Sequence, residues 1–340
     1  MPVLPNTLSK KPLVSILIPA YNAEKWIGDT LRSALAQAWE PKEIIVVDDG
    51  STDGTLAVAK QFESEKLRVV TQKNQGASAA RNTAFALCRG NFIQWLDADD
   101  LLAPDKISRQ LDELERLPSR RTLLLSPWGK FLQWHHRAEF IPTSLWRDLS
   151  PCEFLFHKLM DNVFMQTATW LVSRELTEAA GPWDTRLLGD DDGEYFCRVL
   201  LASHGTRFVP EAKVYYRAHP AGSLSSLGRS AAKIEAHWLS MQLHIKYLRS
   251  LEDSERTRRA CLRYLQRWLT YFYAERPDLL CEVEELAAEL GSELEPPRLS
   301  WKYAWIKSVF GWRTAVRAQE WFRARRWFAQ RFFERMRFRS

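Results

Sequence analysis

The sequence lacks the features of a secreted, membrane-spanning or metal-finger protein. Its 340 residues include only five cysteines, an odd number, and no two of them have the spacing of metal ligands. We therefore expect reduced thiols in a cytosolic protein. The N-terminal apolar stretch is too short for a signal peptide, and no run reaches the roughly 18 apolar residues of a membrane span. The hydrophobic fraction of 46% predicts a packed core rather than disorder.

Charge is unevenly distributed along the chain. The net charge is +6, but residues 301–340 hold eleven Lys and Arg and two Glu (+9), which leaves −3 for the rest. The same segment holds twelve aromatic residues, and a helix there would place Trp321, Phe328, Phe332 and Met336 on one face. This pattern predicts a tail, residues 297–340, that lies on an anionic membrane surface. The alternative is a helix packed on the rest of the protein, and without a recognised binding module we expect no nucleic-acid partner.

The first 125 residues alternate between apolar strands and amphipathic helices. Strands are predicted at Leu13–Ile18, Glu43–Val47, Leu67–Thr71 and Asn91–Leu96. Short links between alternating elements favour the α/β class, with a mostly parallel sheet covered by helices on both faces. The pattern from 121 to 217 is mixed and includes a predicted strand at Thr167–Val172, whereas residues from about 229 onward read as helical.

Three carboxylates, Asp97, Asp99 and Asp100, directly follow the fourth predicted strand. Their charges would repel one another unless a cation or a ligand lay among them. Oxygen ligands at this position suit Mg²⁺ or Mn²⁺, which usually bring phosphates with them. The carboxyl end of a strand in an open α/β sheet is also where ligands bind.

Further candidate site residues follow the first two predicted strands or lie on the helix after the third. Tyr21 is a stacking surface for a base or a packing aromatic, and Asp49 can accept a hydrogen bond from a pyrimidine imide, although its segment also suits a turn. Arg81 is either a surface arginine or the group that holds the acid cluster or a phosphate.

A second acidic run, Asp190-Asp191-Asp192, precedes Glu194 and a predicted helix. One acid would serve as a helix cap, but this number exceeds that need, and a carboxylate here can act as a general base. Further along the chain, His219 is a candidate metal or diphosphate ligand, although a lone histidine is more often neither.

Five strings in order, VSILIPAYN, IIVVDDGSTDGT, NQGASAARN, FIQWLDADD and GDDDGEYFCRVL, make the chain resemble the family 2 glycosyltransferases, which have the GT-A (Rossmann-like) fold. The resemblance covers roughly residues 13–220. It implies a catalytic domain at 1–225. The helical pattern that follows predicts a helical extension at 226–296, which Pro296-Pro297 ends before the basic tail at 297–340.

The resemblance also implies roles for individual residues. The nucleotide sugar would contact Pro19 through its main chain, together with Tyr21, Asp49, Arg81, Asp97 and Asp99. Asp99 would hold the metal with His219, and Asp97 would contact the ribose or sugar. Asp192, six residues before Arg198, would be the base, with Asp191 at the position of the family's glutamate. Because Asp190, Asp191 and Asp192 are adjacent, the alignment with the family can shift by one residue, so the sequence leaves open which of the three is the base.

The implied reaction is inverting transfer of a sugar from a nucleotide diphosphate-sugar, by family default a UDP-sugar, to an acceptor hydroxyl. The acceptor would be a glycan or a lipid-linked molecule in polysaccharide, lipopolysaccharide or glycolipid synthesis at the cytoplasmic membrane face. Segments 165–170 and 181–188 would shape its site, where Trp170 and Trp183 either stack on a sugar or pack in the core. Asp100 looks the least necessary acid, serving only to lead into the next helix. The alternatives are an inactive glycosyltransferase-like scaffold and a sugar nucleotidyltransferase, which would need a glycine-rich loop after the first strand.

Overall fold

The structure is a computed structural model that describes residues 11–218, 230–296, 299–312 and 314–319. Eleven strands are formed within these ranges: β1 Val14–Ala20, β2 Lys42–Asp48, β3 Leu67–Thr71, β4 Phe92–Trp95, β5 Leu101–Leu102, β6 Leu123–Leu125, β7 Trp128–Phe131, β8 Glu139–Phe140, β9 Val172–Ser173, β10 Thr206–Phe208 and β11 Val214–Arg217.

The helices occupy the segments between and after these strands. The named ones are α1 Ile27–Leu35, α2 Thr55–Lys60, α3 Ala77–Leu87, α4 Lys106–Leu114, α5 Pro151–Asp161, α6 Arg174–Ala180, α7 Asp191–Ala202, α8 Ala231–Leu251, α9 Glu255–Glu275 and α10 Leu280–Glu289. Residues 301–312 and 314–319 are also helical. No helix among the described residues is both long and apolar enough to cross a bilayer.

The main sheet has the strand order β3-β2-β1-β4-β9. The first four strands are parallel, and β9 runs antiparallel to β4. Continuous apolar runs suit such strands because both of their faces are buried. The predicted α/β fold with a mostly parallel sheet is therefore confirmed.

The two faces of the sheet bury alternate residues of the same strands. On one face, Ile16 and Ile44 pack with apolar residues of α1 and α4. On the other face, Leu17 and Ile45 pack with residues of α3, α5, α6 and α7. Successive side chains of a strand point to opposite sides, so one apolar run supplies both cores.

A second sheet, in the order β5-β11-β7-β8, adjoins the acid cluster. Its strand β5 starts directly after Asp100 and pairs antiparallel with β11, while β11 runs parallel to β7. The remaining strands, β10 and β6, form a parallel pair. In the sequence, the acids that follow β4 thus connect a strand of the main sheet to a strand of the second sheet.

Two local predictions from the sequence are wrong. Asn22 precedes the apolar stripe of the first helix and is expected to cap it, but it has φ 49° and accepts a hydrogen bond from the backbone N–H of Thr52 (2.9 Å), and α1 begins only at Ile27. In the segment predicted as the strand Thr167–Val172, residues Thr167–Thr169 form a 3-10 turn, and only Val172 belongs to a strand, β9.

The chain divides into two compact units. The first comprises the described residues of Met1–Ser226 together with Ala236–Asp253, and the second those of Leu227–Glu235 and Ser254–Ser340. Inside the second unit, Arg317 pairs with Glu275 (Nη2–Oε2, 2.5 Å) and Gln266 donates to the carbonyl of Glu295 (2.7 Å). The predicted boundaries at 225 and 296 stay predictions.

Candidate active site

Three predicted site segments meet at one edge of the main sheet. Tyr21 follows β1, Asp49 follows β2, and Asp97 and Asp99 come after β4. Because β2, β1 and β4 are parallel neighbours, their carboxyl ends lie side by side. This edge is where open α/β sheets bind ligands.

The end of β1 combines a fixed main chain with an exposed ring. Pro19 is buried in β1 opposite Val47, and the carbonyl of Ala20 accepts the backbone N–H of Asp49 (2.8 Å). The side chain of Tyr21 is 49% exposed directly beyond this bond. Its ring is accessible to a ligand, and stacking on a base stays a prediction.

The carboxylate of Asp49 organises the loop that leads into α3. It accepts hydrogen bonds from the side chain of Gln72 (2.7 Å) and from the backbone N–H groups of Gln75 (3.0 Å) and Gly76 (2.8 Å). Gly76 has φ 91°, a conformation that favours glycine. One oxygen of Asp49 accepts a single bond and retains a lone pair for a ligand.

Arg81 on α3 joins two acidic motifs that are 94 residues apart (191 − 97). Its Nη1 donates to Oδ2 of Asp191 (2.6 Å), its Nη2 donates to Oδ1 of Asp97 (2.8 Å), and its guanidinium lies 4.3 Å from the ring of Trp183. Burial lowers the pKa of Arg81, but the charges of Asp191 and Asp97 outweigh this and raise the pKa above its usual value. The guanidinium therefore remains charged and fixes the distance between the motifs.

The three adjacent acids at the start of α7 have separate partners. Asp190, in the left-handed conformation at φ 55°, accepts from Ser240 Oγ (2.7 Å) and lies 3.9 Å from Lys158 Nζ. Burial raises the pKa of Asp190, but nearby positive charge, chiefly that of Lys158, brings it below its usual value. Asp190 is thus an anchor between α5 and α8.

Asp191 and Asp192 face the other elements of the site. Asp191 accepts from Arg81 and from Ser78 Oγ (3.0 Å). Asp192 accepts from Thr167 Oγ1 (3.2 Å) and from the backbone N–H of Gly193 (2.8 Å). The three aspartates, which the sequence could not tell apart, therefore have different partners. Asp190 contacts α5 and α8, Asp191 contacts α3, and Asp192 contacts the segment at Thr167.

The carboxyl of Asp192 has a strongly shifted pKa. Burial, followed by the charges of Asp191 and Asp190, raises the pKa of Asp192 to about 7. A carboxylate with such a pKa can accept a proton near neutral pH far better than an ordinary aspartate. Perturbed groups of this kind concentrate at functional sites.

Helix α7 is itself held rigidly beneath the acids. Glu194 receives two bonds from Arg198 (2.7 and 2.8 Å) and one from the hydroxyl of Tyr247 (2.7 Å). Arg198 also donates to the carbonyl of Ala180, at the end of α6. Glu194 is buried, and its charge is paired with that of Arg198. The acid that exceeded the needs of a helix cap thus has a structural role.

Asp100 is not a mere lead into α4, and that prediction is wrong. Its buried carboxylate accepts from the side chain of Gln166 and from the backbone N–H of Arg217 (2.8 Å). The Nε of Arg217 donates to the carbonyl of Asp99 (2.9 Å), and Gln166 also reaches Asp97 (3.4 Å). Segment 165–170 was predicted to shape the acceptor site, but the bonds of Gln166, Thr167 and Arg217 to the acids were not predicted, because partners 25 to 118 positions away leave no local pattern.

Trp170 and Trp183 do not contact a ligand through an open face, since each is only 2% exposed. Trp170 stacks on Phe196 (4.7 Å) and Trp183 stacks on Tyr195 (4.0 Å). The sequence left open whether these two rings stack on a sugar or pack in the core, and the structure supports core packing.

A divalent cation would find a limited set of donors in the described residues. No cluster of three or more His, Cys, Asp or Glu that could hold a metal occurs there, and His219 lies outside them. Asp97 and Asp100 are engaged by Arg81 and Gln166, and both Asp97 and Asp99 are partly exposed. Mg²⁺ commonly uses one or two carboxylates plus substrate phosphates, so the donor set fits such an ion.

Comparison with known proteins places this site in a family. The sequence model of Glycosyl transferase family 2 matches residues 15–175. The uncharacterized glycosyltransferase RP339 of Rickettsia prowazekii (strain Madrid E) is 36% identical over 227 residues, which are 67% of this chain and 70% of the relative. The chain belongs to glycosyltransferase family 2. The predicted resemblance is confirmed.

Two further similarities are a short sequence match and a match to a solved structure. Chondroitin synthase of Escherichia coli is 46% identical over 112 residues, but these are 32% of this chain and only 16% of that protein. The crystal structure of S. aureus TarS 1–349 in complex with UDP-GlcNAc matches with a TM-score of 0.64 and 18% identity, covering 90% of this chain and 91% of that chain. The match to TarS shows the GT-A fold for this family 2 chain.

Proposed function

We propose that this family 2 glycosyltransferase transfers a sugar from a nucleoside diphosphate-sugar to an acceptor hydroxyl with inversion at the anomeric carbon. The observation that carries the proposal is the bridge formed by Arg81. It ties Asp97 on the donor side to Asp191, the residue next to Asp192, whose pKa is about 7. The proposed catalytic base, Asp192, and the donor-side residue Asp97 are thus held at a fixed separation within one site.

Each residue of the site has a proposed task. Tyr21 stacks on the base, Asp49 accepts from the base imide, and the main chain near Pro19 supports the nucleotide. Asp97 contacts the ribose or the sugar. Asp192 removes the proton from the attacking hydroxyl, whose oxygen bonds to the anomeric carbon while the bond from that carbon to the diphosphate oxygen breaks.

We further propose that the reaction uses Mg²⁺ or Mn²⁺ held by Asp99, with His219 as a second ligand. When bound, the cation would neutralise charge on the leaving diphosphate. Arg81 adds fixed positive charge beside Asp97, which offsets the repulsion between this acid and a diphosphate.

The donor and acceptor are proposed from relatives and from the site chemistry. TarS, which shares the fold, has been solved with UDP and with UDP-GlcNAc. We propose a UDP-sugar as the donor, since Asp49 can accept from a uracil imide. The similarity to chondroitin synthase supports a glycan or lipid-linked acceptor and a role in polysaccharide synthesis.

The first test is a screen of nucleotide sugars with the purified protein. UDP-, GDP- and TDP-sugars are incubated with Mg²⁺, Mn²⁺ or EDTA, and release of the nucleoside diphosphate is measured. We expect slow hydrolysis of one or more UDP-sugars that requires the cation and is lost in Asp192→Asn. Failure to bind or hydrolyse any nucleotide sugar with either cation would contradict the proposed function and favour a scaffold.

The protein is also proposed to work at the cytoplasmic face of a membrane. The predicted lipid-binding residues Trp321, Phe328, Phe332 and Met336 lie outside the described residues. In the described part of the tail, Trp301 is 80% exposed and Trp305 is 60% exposed. These rings lie four residues apart on a helix, on the same side, in a segment rich in basic residues.

Vesicle flotation tests this location. We expect the full chain to float with anionic vesicles but not with neutral ones, and to be released by salt, because basic residues provide part of the attraction. The double variant Trp301→Ser, Trp305→Ser should float less, since its apolar contact with lipid is reduced. Trp134→Ser, which changes an exposed tryptophan of the first unit, is the control. Equal flotation of all three proteins would refute a role for these two rings.

A further inference from the structure

Phe164 is an exposed aromatic residue in the loop that leads to Thr167, the hydrogen-bond partner of Asp192. It lies in the loop between α5 and the turn at Thr167–Thr169, and it is 49% exposed. Its ring packs against Trp128, with the ring centres 5.2 Å apart and the planes tilted by 31°. One face of Phe164 is thus fixed by Trp128, while much of the ring remains accessible.

The loop ties this ring to the acids at the start of α7. Phe164 is three residues before Thr167, whose hydroxyl donates to Asp192 (3.2 Å). Since consecutive Cα atoms are 3.8 Å apart, the Cα atoms of Phe164 and Thr167 are separated by at most about 11 Å. The intervening Gln166 is bonded to Asp97 and Asp100, so the loop is held on the site.

The other end of the aromatic row is tied to the acids after β4. Trp128 lies edge-on to Tyr216, with the ring centres 5.6 Å apart. The next residue, Arg217, donates to the carboxylate of Asp100 through its backbone and to the carbonyl of Asp99 through its side chain. The row formed by Phe164, Trp128 and Tyr216 is therefore linked to the acids at both ends, through Gln166 and Thr167 after Phe164 and through Arg217 after Tyr216.

We propose that Phe164, backed by Trp128 and Tyr216, is the surface on which a pyranose ring of the acceptor stacks while its hydroxyl faces Asp192. The proposal rests on the function proposed above and names the acceptor as a glycan ring. A pyranose has an apolar face of C–H groups with hydroxyls at its rim, and the negative face of an aromatic ring attracts such C–H groups. The segments expected to bind the acceptor contain two tryptophans that the core has buried, whereas Phe164 lies directly before the first of these segments and is open.

The nucleotide base is the competing occupant. It is disfavoured because Tyr21 and Asp49 follow β1 and β2, whereas the Phe164 loop is bonded to Asp192 and to the acids after β4. A ring at Phe164 is placed to meet the hydroxyl that attacks rather than the base that leaves with the diphosphate.

The test compares acceptors with and without a ring. UDP-sugar hydrolysis, transfer to glycerol, and transfer to methyl β-glucopyranoside and methyl β-N-acetylglucosaminide are measured for wild type, Phe164→Ala, Phe164→Tyr and Trp134→Ala. We expect kcat/KM for pyranoside transfer to fall about tenfold in Phe164→Ala, the scale of one aromatic contact, with hydrolysis and glycerol transfer unchanged. Phe164→Tyr should retain transfer because it keeps the ring, and Trp134→Ala should match wild type.

The outcomes separate this proposal from the function on which it rests. If wild type hydrolyses no nucleotide sugar, the proposed function fails. If it hydrolyses a UDP-sugar but Phe164→Ala transfers to pyranosides as well as wild type does, or wild type transfers to glycerol alone, the acceptor surface is refuted. Weakened UDP binding in Phe164→Ala would instead assign the ring to the nucleotide, and an equal loss of hydrolysis and transfer would show a purely structural role.

Discussion

Replacing Asp192 by asparagine is expected to lower sugar transfer by about 10³-fold, within the range that general-base catalysis supplies. Asparagine is nearly isosteric: its Oδ1 can accept from the N–H of Gly193 while its Nδ2 donates to the hydroxyl of Thr167, which reverses that bond and retains the loop geometry. It cannot take up the proton of the attacking hydroxyl. Affinity for the nucleotide sugar, measured by calorimetry, should stay within about twofold of wild type, because binding made equally in ground and transition states is unaffected.

The pH profile provides a second measure of the same residue. With a pKa of about 7 for Asp192, kcat/KM of wild type should rise as pH increases through 7, because only the ionised carboxylate is a base. The contribution of Asp192 to folding stability changes with pH in the opposite direction to the rate. A carboxyl whose pKa is raised on folding binds more protons folded than unfolded, so its contribution to stability falls as pH rises from about 4 to 7.

The asparagine variant should therefore be at least as stable as wild type at pH 8. Asp112→Asn, which removes an exposed carboxylate on α4, is the matched control and should change neither rate nor pH profile. Unchanged turnover in Asp192→Asn would exclude this residue as the base, and loss of transfer in an unfolded variant would not support it.

Replacing Arg81 by methionine is expected to cost about 3–5 kcal/mol of folding free energy, the usual effect of removing one partner from buried ion pairs. Both Asp97 and Asp191 would lose a charged hydrogen-bond donor, at 2.8 and 2.6 Å. Urea unfolding followed by circular dichroism measures the change. Nucleotide binding should be lost in the same variant, because two like charges then face the diphosphate without a fixed cation.

Two further variants identify the cause of this loss. The triple variant Arg81→Met, Asp97→Asn, Asp191→Asn should recover most of the stability, since the unpaired charges are gone, without recovering activity. Arg81→Lys should be only partly active because one ammonium cannot reproduce two bonds that leave a planar guanidinium in different directions. Arg116→Met, which removes an exposed arginine that pairs with Glu113, should cost about 1 kcal/mol or less, since Glu113 keeps its pair with Arg207. A similar small cost at Arg81 would refute the bridge.

The parallel strands could be predicted because their code is local. A strand buried on both faces needs a continuous apolar run, and β3 occupies Leu67–Thr71 as the run predicts. The other three strands, β1, β2 and β4, agree with their predicted bounds within two residues. Strand ends then place Tyr21, Asp49, Asp97 and Asp99 at one edge without further information.

The segment at Thr167–Val172 shows where local preference fails. Its residues favour a strand, but distant side chains bind its backbone carbonyls. Gln94 donates to the carbonyl of Ala168 (2.8 Å), Gln110 to that of Thr169 (3.1 Å) and Lys106 to that of Trp170 (3.3 Å). These bonds replace a strand ladder and form the turn that carries Gln166 and Thr167 to the acids.

By itself the sequence determined the α/β sheet, the edge at which the site lies and the family, because apolar runs and strand-end motifs are short-range patterns. Only the tertiary structure decided which partners each acid has. Asp190, Asp191 and Asp192 are chemically identical neighbours, and they are distinguished by partners that arrive from elsewhere in the chain: Ser240, Arg81 and Thr167. In the same way Asp100 became a buried anchor and Trp170 and Trp183 core residues. Burial and long-range contacts set pKa values and exposure, and neither property is encoded at a single position.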